Sequence, residues 1–177
     1  MNMQTNSGSP RRWVVMGVSG CGKSEVGRHL ASSLGAFYVE GDDDHPAENV
    51  AKMAAGHPLD DADRQGWLLV LQERIRAAQE RGEALVLSCS ALKRRYRDLL
   101  RAGDPTLTFV HLAGEPALIA ARMQARSGHF MPPALLESQL RDLEPLQGDE
   151  DGIRLDIRRT PQQLIDDVMQ WTMVANK

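Results

Sequence analysis

The sequence predicts an α/β fold, a mostly parallel sheet covered by helices on both faces. Two observations predict it. Short apolar runs bounded by glycine alternate with helically patterned stretches along the whole chain, and the first apolar run opens into a glycine-rich turn that leads directly into a helix. Parallel strands require right-handed crossovers, and ligands of such sheets bind outside the carboxyl ends of the strands.

The elements follow in order. Residues 13–16, ending at Gly17, read as a buried strand. From 23 to 34 the apolar positions Val26, Leu30, Ala31 and Leu34 recur at helical spacing, and Gly35 supplies the stop. Residues 37–39 form a second short strand. Pro46 stands where a helix tolerates a missing N–H, so 47–55 is a helix closed by Gly56. Asp60 caps the next, whose stripe of Trp67, Leu68, Leu71, Ile75 and Ala78 lasts until Gly82. The run at 84–87 is short and wholly apolar, as a buried strand should be. A basic helix at about 92–101, a strand at 107–112 and a helix at 115–126 begun by Pro116 continue the alternation. Gly128, Pro132 and Pro133 interrupt it with a loop, before a helix at 134–143, a strand at 153–157 and a last helix from 161 to about 174.

The chain has 177 residues, enough for one domain with a real core, and its 42% hydrophobic and 25% charged residues are ordinary globular composition. Residues 1–10 are polar and without periodicity, a frayed tail, which leaves 11–177 as a single domain. A net charge of -3 argues against nucleic acid or an acidic membrane as partner. No apolar run approaches the roughly 18 to 20 residues that span a bilayer. The two cysteines, Cys21 and Cys89, and the lack of a secretory apolar segment point to a reducing cytoplasm.

Gly17, Val18, Ser19, Gly20, Cys21, Gly22, Lys23 and Ser24 match G-x-x-x-x-G-K-S between a predicted strand and a predicted helix. Glycines let the backbone turn its N–H groups toward a polyphosphate, aided by the positive end of the following helix. ATP is the expected nucleotide, since no N-K-x-D guanine signature is present. Lys23 is expected on its β and γ phosphates and the Ser24 hydroxyl on Mg²⁺, with Glu25 closing the candidate nucleotide-binding run. A purely structural glycine turn with an exposed lysine is the competing reading. Cys21 reads as a small residue that fits the loop.

After the second strand come Glu40, Gly41, Asp42, Asp43, Asp44, His45, Pro46, Ala47, Glu48, Asn49, Val50, Ala51 and Lys52. Transfer to an alcohol needs a carboxylate that orients the hydroxyl and accepts its proton, and Asp42 is the candidate. Glu40, two residues earlier and on the same face if the strand persists, is the candidate for holding a water ligand of Mg²⁺. Asp43 and Asp44 are expected to be solvated. An acidic solvated turn is the alternative for the whole cluster.

With these residues in place, the sequence resembles the gluconokinase family of P-loop kinases. The likeness runs through M-G-V-S-G-C-G-K-S at 16–24, G-D-x-x-H-P at 41–46, N-x-x-K-M at 49–53 and G-x-P-L-x-D-x-D-R-x-x-W-L at 56–68. It continues in C-S-A-L-K-x-x-Y-R-D-x-L-R at 89–101, R-x-x-x-R-x-G-H-F-M at 122–131 and S-Q-L-x-x-L-E-P-L at 138–146. The resemblance implies five parallel strands in the order 2-3-1-4-5, a mobile lid at about 126–133, a homodimer, and ATP-dependent phosphorylation of D-gluconate at its 6-hydroxyl. It implies that Asp42, His45, Asn49 and Lys52 line the acceptor pocket, with Lys93 close to substrate or phosphate. Arg64 becomes the candidate for the substrate carboxylate, because a guanidinium matches two oxygens at once. The alternative is a surface ion pair with Asp60 or Asp61.

Arg94, Arg95, Arg97 and Arg101 read as a solvated basic face, some of whose charges support the anion site. Arg122 and Arg126 lie one helical turn apart. By resemblance Arg122 stacks on adenine and Arg126 meets the transferring phosphate, with Gly128 as hinge, His129 either touching substrate or pinning the closed lid, and 156–161 around adenine. Shikimate kinase is the nearest alternative activity, and a nucleotide-binding regulatory ATPase is the alternative of another class.

Overall fold

The computed structural model describes residues 10–126 and 132–175, so the first nine residues of the expected tail and five of the expected lid lie outside the described residues. Strand β1 (Arg12–Met16) leads to helix α1 (Lys23–Leu34), then β2 (Phe37–Glu40), a 3-10 turn (Gly41–Asp44), α2 (Ala47–Ala54) and α3 (Asp61–Glu80). The second half is β3 (Leu85–Ser88), α4 (Arg94–Arg101), β4 (Thr108–Ala113), α5 (Pro116–Ala125), α6 (Pro133–Asp142), β5 (Gly152–Asp156) and α7 (Pro161–Ala175).

The five strands are all parallel and lie in the order β2-β3-β1-β4-β5, as expected. Helices on both faces explain why β1, β3 and β4 are buried along their whole length and are mainly apolar rather than alternating, His111 being a polar residue inside β4. Trp13 of β1 meets Trp171 of α7 edge to face at 6.1 Å, pinning the last helix to the central strand. The edge strand β2 leaves Phe37 exposed.

Local chemistry sets the helix ends. Asp60 and Asp63 form a reciprocal capping box at the start of α3, and Pro116 opens α5 where its missing N–H costs nothing. Two readings of the sequence need correction. β2 extends to Glu40 and then breaks into the 3-10 turn, so strand alternation does not carry from Glu40 to Asp42. α4 is no solvated basic face either, because Arg97 is wholly buried and Arg94, Arg95 and Arg101 each hold carboxylates: Asp98 and Asp149, Asp61, and Asp98 with Glu150. Arg97 serves the fold, while Arg95 keeps an exposed side chain beside Asp61. Among the described residues no helix is long and apolar enough to cross a membrane.

Candidate active site

The phosphate loop joins β1 to α1 at the carboxyl end of the central strand. Gly17, Gly20 and Gly22 all have positive φ, at 147°, 83° and 94°, a conformation that suits glycine. At Gly17 a side chain is also sterically excluded, since a Cβ there would lie 2.7 Å from both Cys21 Sγ and the Leu112 carbonyl oxygen. Cys21 is buried against this turn, in keeping with a small fitting residue. Gly22 is the N-cap of α1 and offers no side chain to close the helix's first amides, so they suit an anion. Lys23 Nζ donates to the Val18 carbonyl at 3.0 Å and therefore sits over the loop.

Ser24 and Glu40, assigned separately from sequence, come together: the Ser24 hydroxyl donates to Glu40 Oε2. The Tyr38 hydroxyl donates to the same oxygen at 2.8 Å and lies 2.9 Å from Ser88 Oγ, which in turn donates to the Lys23 carbonyl at 3.0 Å. Burial raises the Tyr38 pKa, as does its bond to Glu40, against an opposing bond from Ser88, so it remains a phenol donor. Neither Tyr38 nor Ser88 stood out in the sequence. Glu25 is exposed in the first turn of α1. Among the described residues no three His, Cys, Asp or Glu side chains cluster as a self-sufficient metal site. A hydroxyl beside a carboxylate next to a phosphate loop nonetheless fits Mg²⁺, which takes few protein ligands and draws the rest from phosphate and water.

Asp42 stands in the 3-10 turn just beyond β2, with its side chain 67% exposed and its Oδ1 3.9 Å from His45 Nε2. The His45 ring stacks on Trp67 at 4.0 Å, and Trp67 Nε1 donates to the Gly41 carbonyl at 2.8 Å, so α3 holds the turn at two points. Burial lowers the His45 pKa against the opposing pull of Asp42. Asn49 is buried and donates to the Asp63 carbonyl at 2.9 Å, while its amide nitrogen lies 3.3 Å from His45 Nδ1. Lys52 Nζ is bound to Asp63 Oδ2 at 2.6 Å, a partner the sequence did not indicate. Asp43 is exposed as expected, but Asp44 is not simply solvated, because Arg74 grips both its oxygens at 2.5 and 2.7 Å.

Arg64 is buried, which removes the surface-pair reading with Asp60 or Asp61. Its guanidinium lies 5.4 Å from the centre of the Tyr96 ring, and Nη1 donates to the Tyr96 hydroxyl at 3.1 Å and to Asp142 Oδ2 at 3.3 Å. Asp61 instead collects the Tyr96 hydroxyl, Lys93 Nζ at 3.0 Å and Arg95 Nη1 at 2.7 Å. The hydrogen bond from Tyr96, then that from Lys93, lowers the Asp61 pKa. Lys93 is thus held beside Arg64 through a shared aromatic ring, each cation keeping its own carboxylate.

Arg122 Nη2 donates to the Ile157 carbonyl at 2.7 Å, reaching the 156–161 segment expected around adenine. Arg126 is not a helical turn from it. α5 ends at Ala125 and Arg126 is already extended, at φ -78° and ψ 112°. Gly128 and His129 lie outside the described residues. Gln139 of α6 makes an unanticipated pair of bonds to the phosphate loop: Ser19 N–H donates to its Oε1 at 2.7 Å, and its Nε2 donates to Ser19 Oγ at 3.1 Å. The residues gathered from 17–24, 40–49 and 64 lie toward the carboxyl ends of β1, β2 and β3. A separate groove of about 440 Å³, lined by Phe37, Val39, Arg74 and Ala77 among others, contains none of the phosphate-loop residues.

Known proteins resemble this chain over most of its length. A family model described as shikimate kinase matches residues 19–169. A gluconokinase of Gluconobacter oxydans is 45% identical over 161 residues, covering 91% of this chain and 90% of that protein. The thermosensitive gluconokinase of Escherichia coli is 47% identical over 146 residues, or 82% of this chain and 78% of that protein. A solved gluconokinase from Sinorhizobium meliloti superposes with a TM-score of 0.82 at 44% identity, covering 90% of this chain and 89% of that one.

Proposed function

The chain belongs to the gluconokinase family, and from that premise we propose that it transfers the γ-phosphoryl group of ATP to the 6-hydroxyl of D-gluconate, giving 6-phospho-D-gluconate and ADP. The observation that carries the reading is the position of Asp42 in the turn after Glu40, while Glu40 itself receives the hydroxyl of Ser24 from the phosphate loop. One peptide segment thereby serves both the nucleotide side and the acceptor side.

Amides of the loop and the Lys23 ammonium bind the β and γ phosphates, with Gly22 leaving the α1 terminus open to them. Ser24, and Glu40 through water, would hold Mg²⁺, which when bound neutralises charge shared by the β and γ oxygens. Asp42 orients the 6-hydroxyl and takes its proton as that oxygen bonds to the γ-phosphorus and the bond to the ADP oxygen breaks. Arg64 binds the acceptor's carboxylate through the N–H donors that Tyr96 and Asp142 leave to it. His45 and Asn49 shape the pocket wall, Lys93 and His129 complete the acceptor side, and Lys52 acts through Asp63. Arg126 spreads the charge that develops on the transferring group, and Arg122 braces the adenine segment.

The remaining expectations belong to this reading: a single kinase domain over 11–177 with a lid near 126–133, a homodimer, and the cytoplasm, to which two buried free thiols are suited. Shikimate kinase shares the fold, but relatives alike over most of this chain are gluconokinases. A coupled ADP-release assay over gluconate, shikimate, other aldonates and nucleotides tests the substrate. Gluconate should be used best, and clear preference for shikimate would refute the assignment. Asp42→Asn should abolish turnover and leave ATP binding nearly unchanged, whereas near-normal turnover would remove Asp42 from its role.

A further inference from the structure

We infer that α6 couples the nucleotide half of the site to the acceptor half, with Gln139 and Asp142 as positioning residues. The inference rests on the assignment of Arg64 to the acceptor's carboxylate. Gln139 and Asp142 are three residues apart on one helix and so share a face, separated by about 4.5 Å along its axis. One of them is bonded twice to Ser19 of the phosphate loop, and the other is paired with Arg64.

A helix of ten residues seated through Leu135, Leu136 and Ser138, on the same side as Gln139 and Asp142, moves as a unit, so displacing one contact displaces the other. Ser19 N–H belongs to the loop that wraps the polyphosphate, and its position follows that loop when nucleotide binds. Asp142 and Tyr96 both hold Arg64 at Nη1, which fixes the plane of the guanidinium and turns its remaining donors to a carboxylate. Nucleotide that orders the loop therefore also orders the arginine, and by linkage an acceptor on the arginine strengthens nucleotide binding by the same factor.

Calorimetry on the full chain tests this, measuring D-gluconate affinity with and without a non-hydrolysable ATP analogue and Mg²⁺. The analogue should tighten gluconate binding about fivefold or more. Gln139→Met, which keeps length and packing but removes both bonds to Ser19, should bring that factor close to one while leaving gluconate affinity in the absence of nucleotide within about twofold. Asp142→Asn should weaken gluconate alone and also lose the coupling. Gln139→Ala and circular dichroism of every variant guard against loss of fold. A coupling factor that stays at the wild-type value in folded Gln139→Met and Asp142→Asn overturns the inference, as does a wild-type factor of one. If the wild type phosphorylates gluconate normally in either case, the substrate reading stands and only the coupling falls. If the wild type neither binds nor phosphorylates gluconate, both fall together.

Discussion

Arg97 and Glu150 form a fully buried ion pair, Nε to Oε1 at 2.7 Å and Nη2 to Oε2 at 3.0 Å, with neither side chain reaching solvent. The other donors of Arg97 go to carbonyls of Ala91, Leu92, Glu144 and Pro145, so one guanidinium ties the turn after β3 to the stretch after α6. That turn includes Ala91 at φ 44°, a left-handed conformation for a residue with a Cβ. Arg97→Met should therefore lower stability by about 3 to 5 kcal/mol, because it takes from a buried carboxylate its bidentate partner, leaving Arg101 at the edge, and removes the donors of four carbonyls. Urea unfolding followed by circular dichroism measures this, and a loss under about 1 kcal/mol would contradict it.

His111 on β4 is buried, and neither ring nitrogen has a hydrogen-bond partner among the described residues. Burial, then the charges of Arg154 and Arg97, lowers its pKa to about 4. The unfolded chain binds this proton more readily than the folded one, so the stabilising difference is fully present above pH ~6.5 and is lost as pH falls toward 4. Its size is at most about 3 kcal/mol. His111→Leu should flatten the pH dependence between 6.5 and 4 and be no less stable at pH 7, since it removes unpaired polar atoms. Thermal melts across that range decide the matter, and an unchanged slope would exonerate His111.

Arg64→Lys keeps the charge but loses the planar fork and its bonds to Tyr96 and Asp142. The KM for gluconate should rise about 10- to 100-fold, the KM for ATP far less. Initial rates with each substrate varied in turn separate the two, and an equal rise in both would count against a seat for the acceptor's carboxylate.

Gly27 lies inside α1, where alanine would ordinarily gain about 1 kcal/mol. Here a Cβ would come within 2.5 Å of Ser88 Oγ and 2.7 Å of Tyr38 Cε2, so overpacking should win. Gly27→Ala should be destabilised by about 1 to 3 kcal/mol and should displace Tyr38 from Glu40. Chemical denaturation gives the first result; a stabilised variant would show that the close approach relaxes freely.

Cys89 is buried, and burial pushes its thiol up to about 12, while Cys21 is enclosed by the phosphate loop. Thiol titration of the native protein with an aromatic disulfide should be negligible over minutes, and complete for both cysteines in urea. Rapid modification of the folded protein would mean that one of the two sites opens.

The strands, the helices and their order were readable along the chain because each depends on neighbours within a few residues: apolar runs, the Asp60 cap, Pro116 at a helix start and the glycines of 17–22. The phosphate loop was equally readable, since its chemistry is built from contiguous backbone. The partners of the charged side chains were not. Arg64 looked free to pair with Asp60 or Asp61, yet lies on Tyr96 and Asp142; Arg97 looked solvated, yet is sealed against Glu150; Gln139 gave no sign of reaching Ser19 across 120 residues. Periodicity places a side chain on a face but leaves open which distant element covers that face. Only the packing of α4 on α3, and the approach of α6 to the phosphate loop and Arg64, chose which carboxylate each buried guanidinium met, because burial makes an unpaired charge too costly to leave and distance leaves few partners.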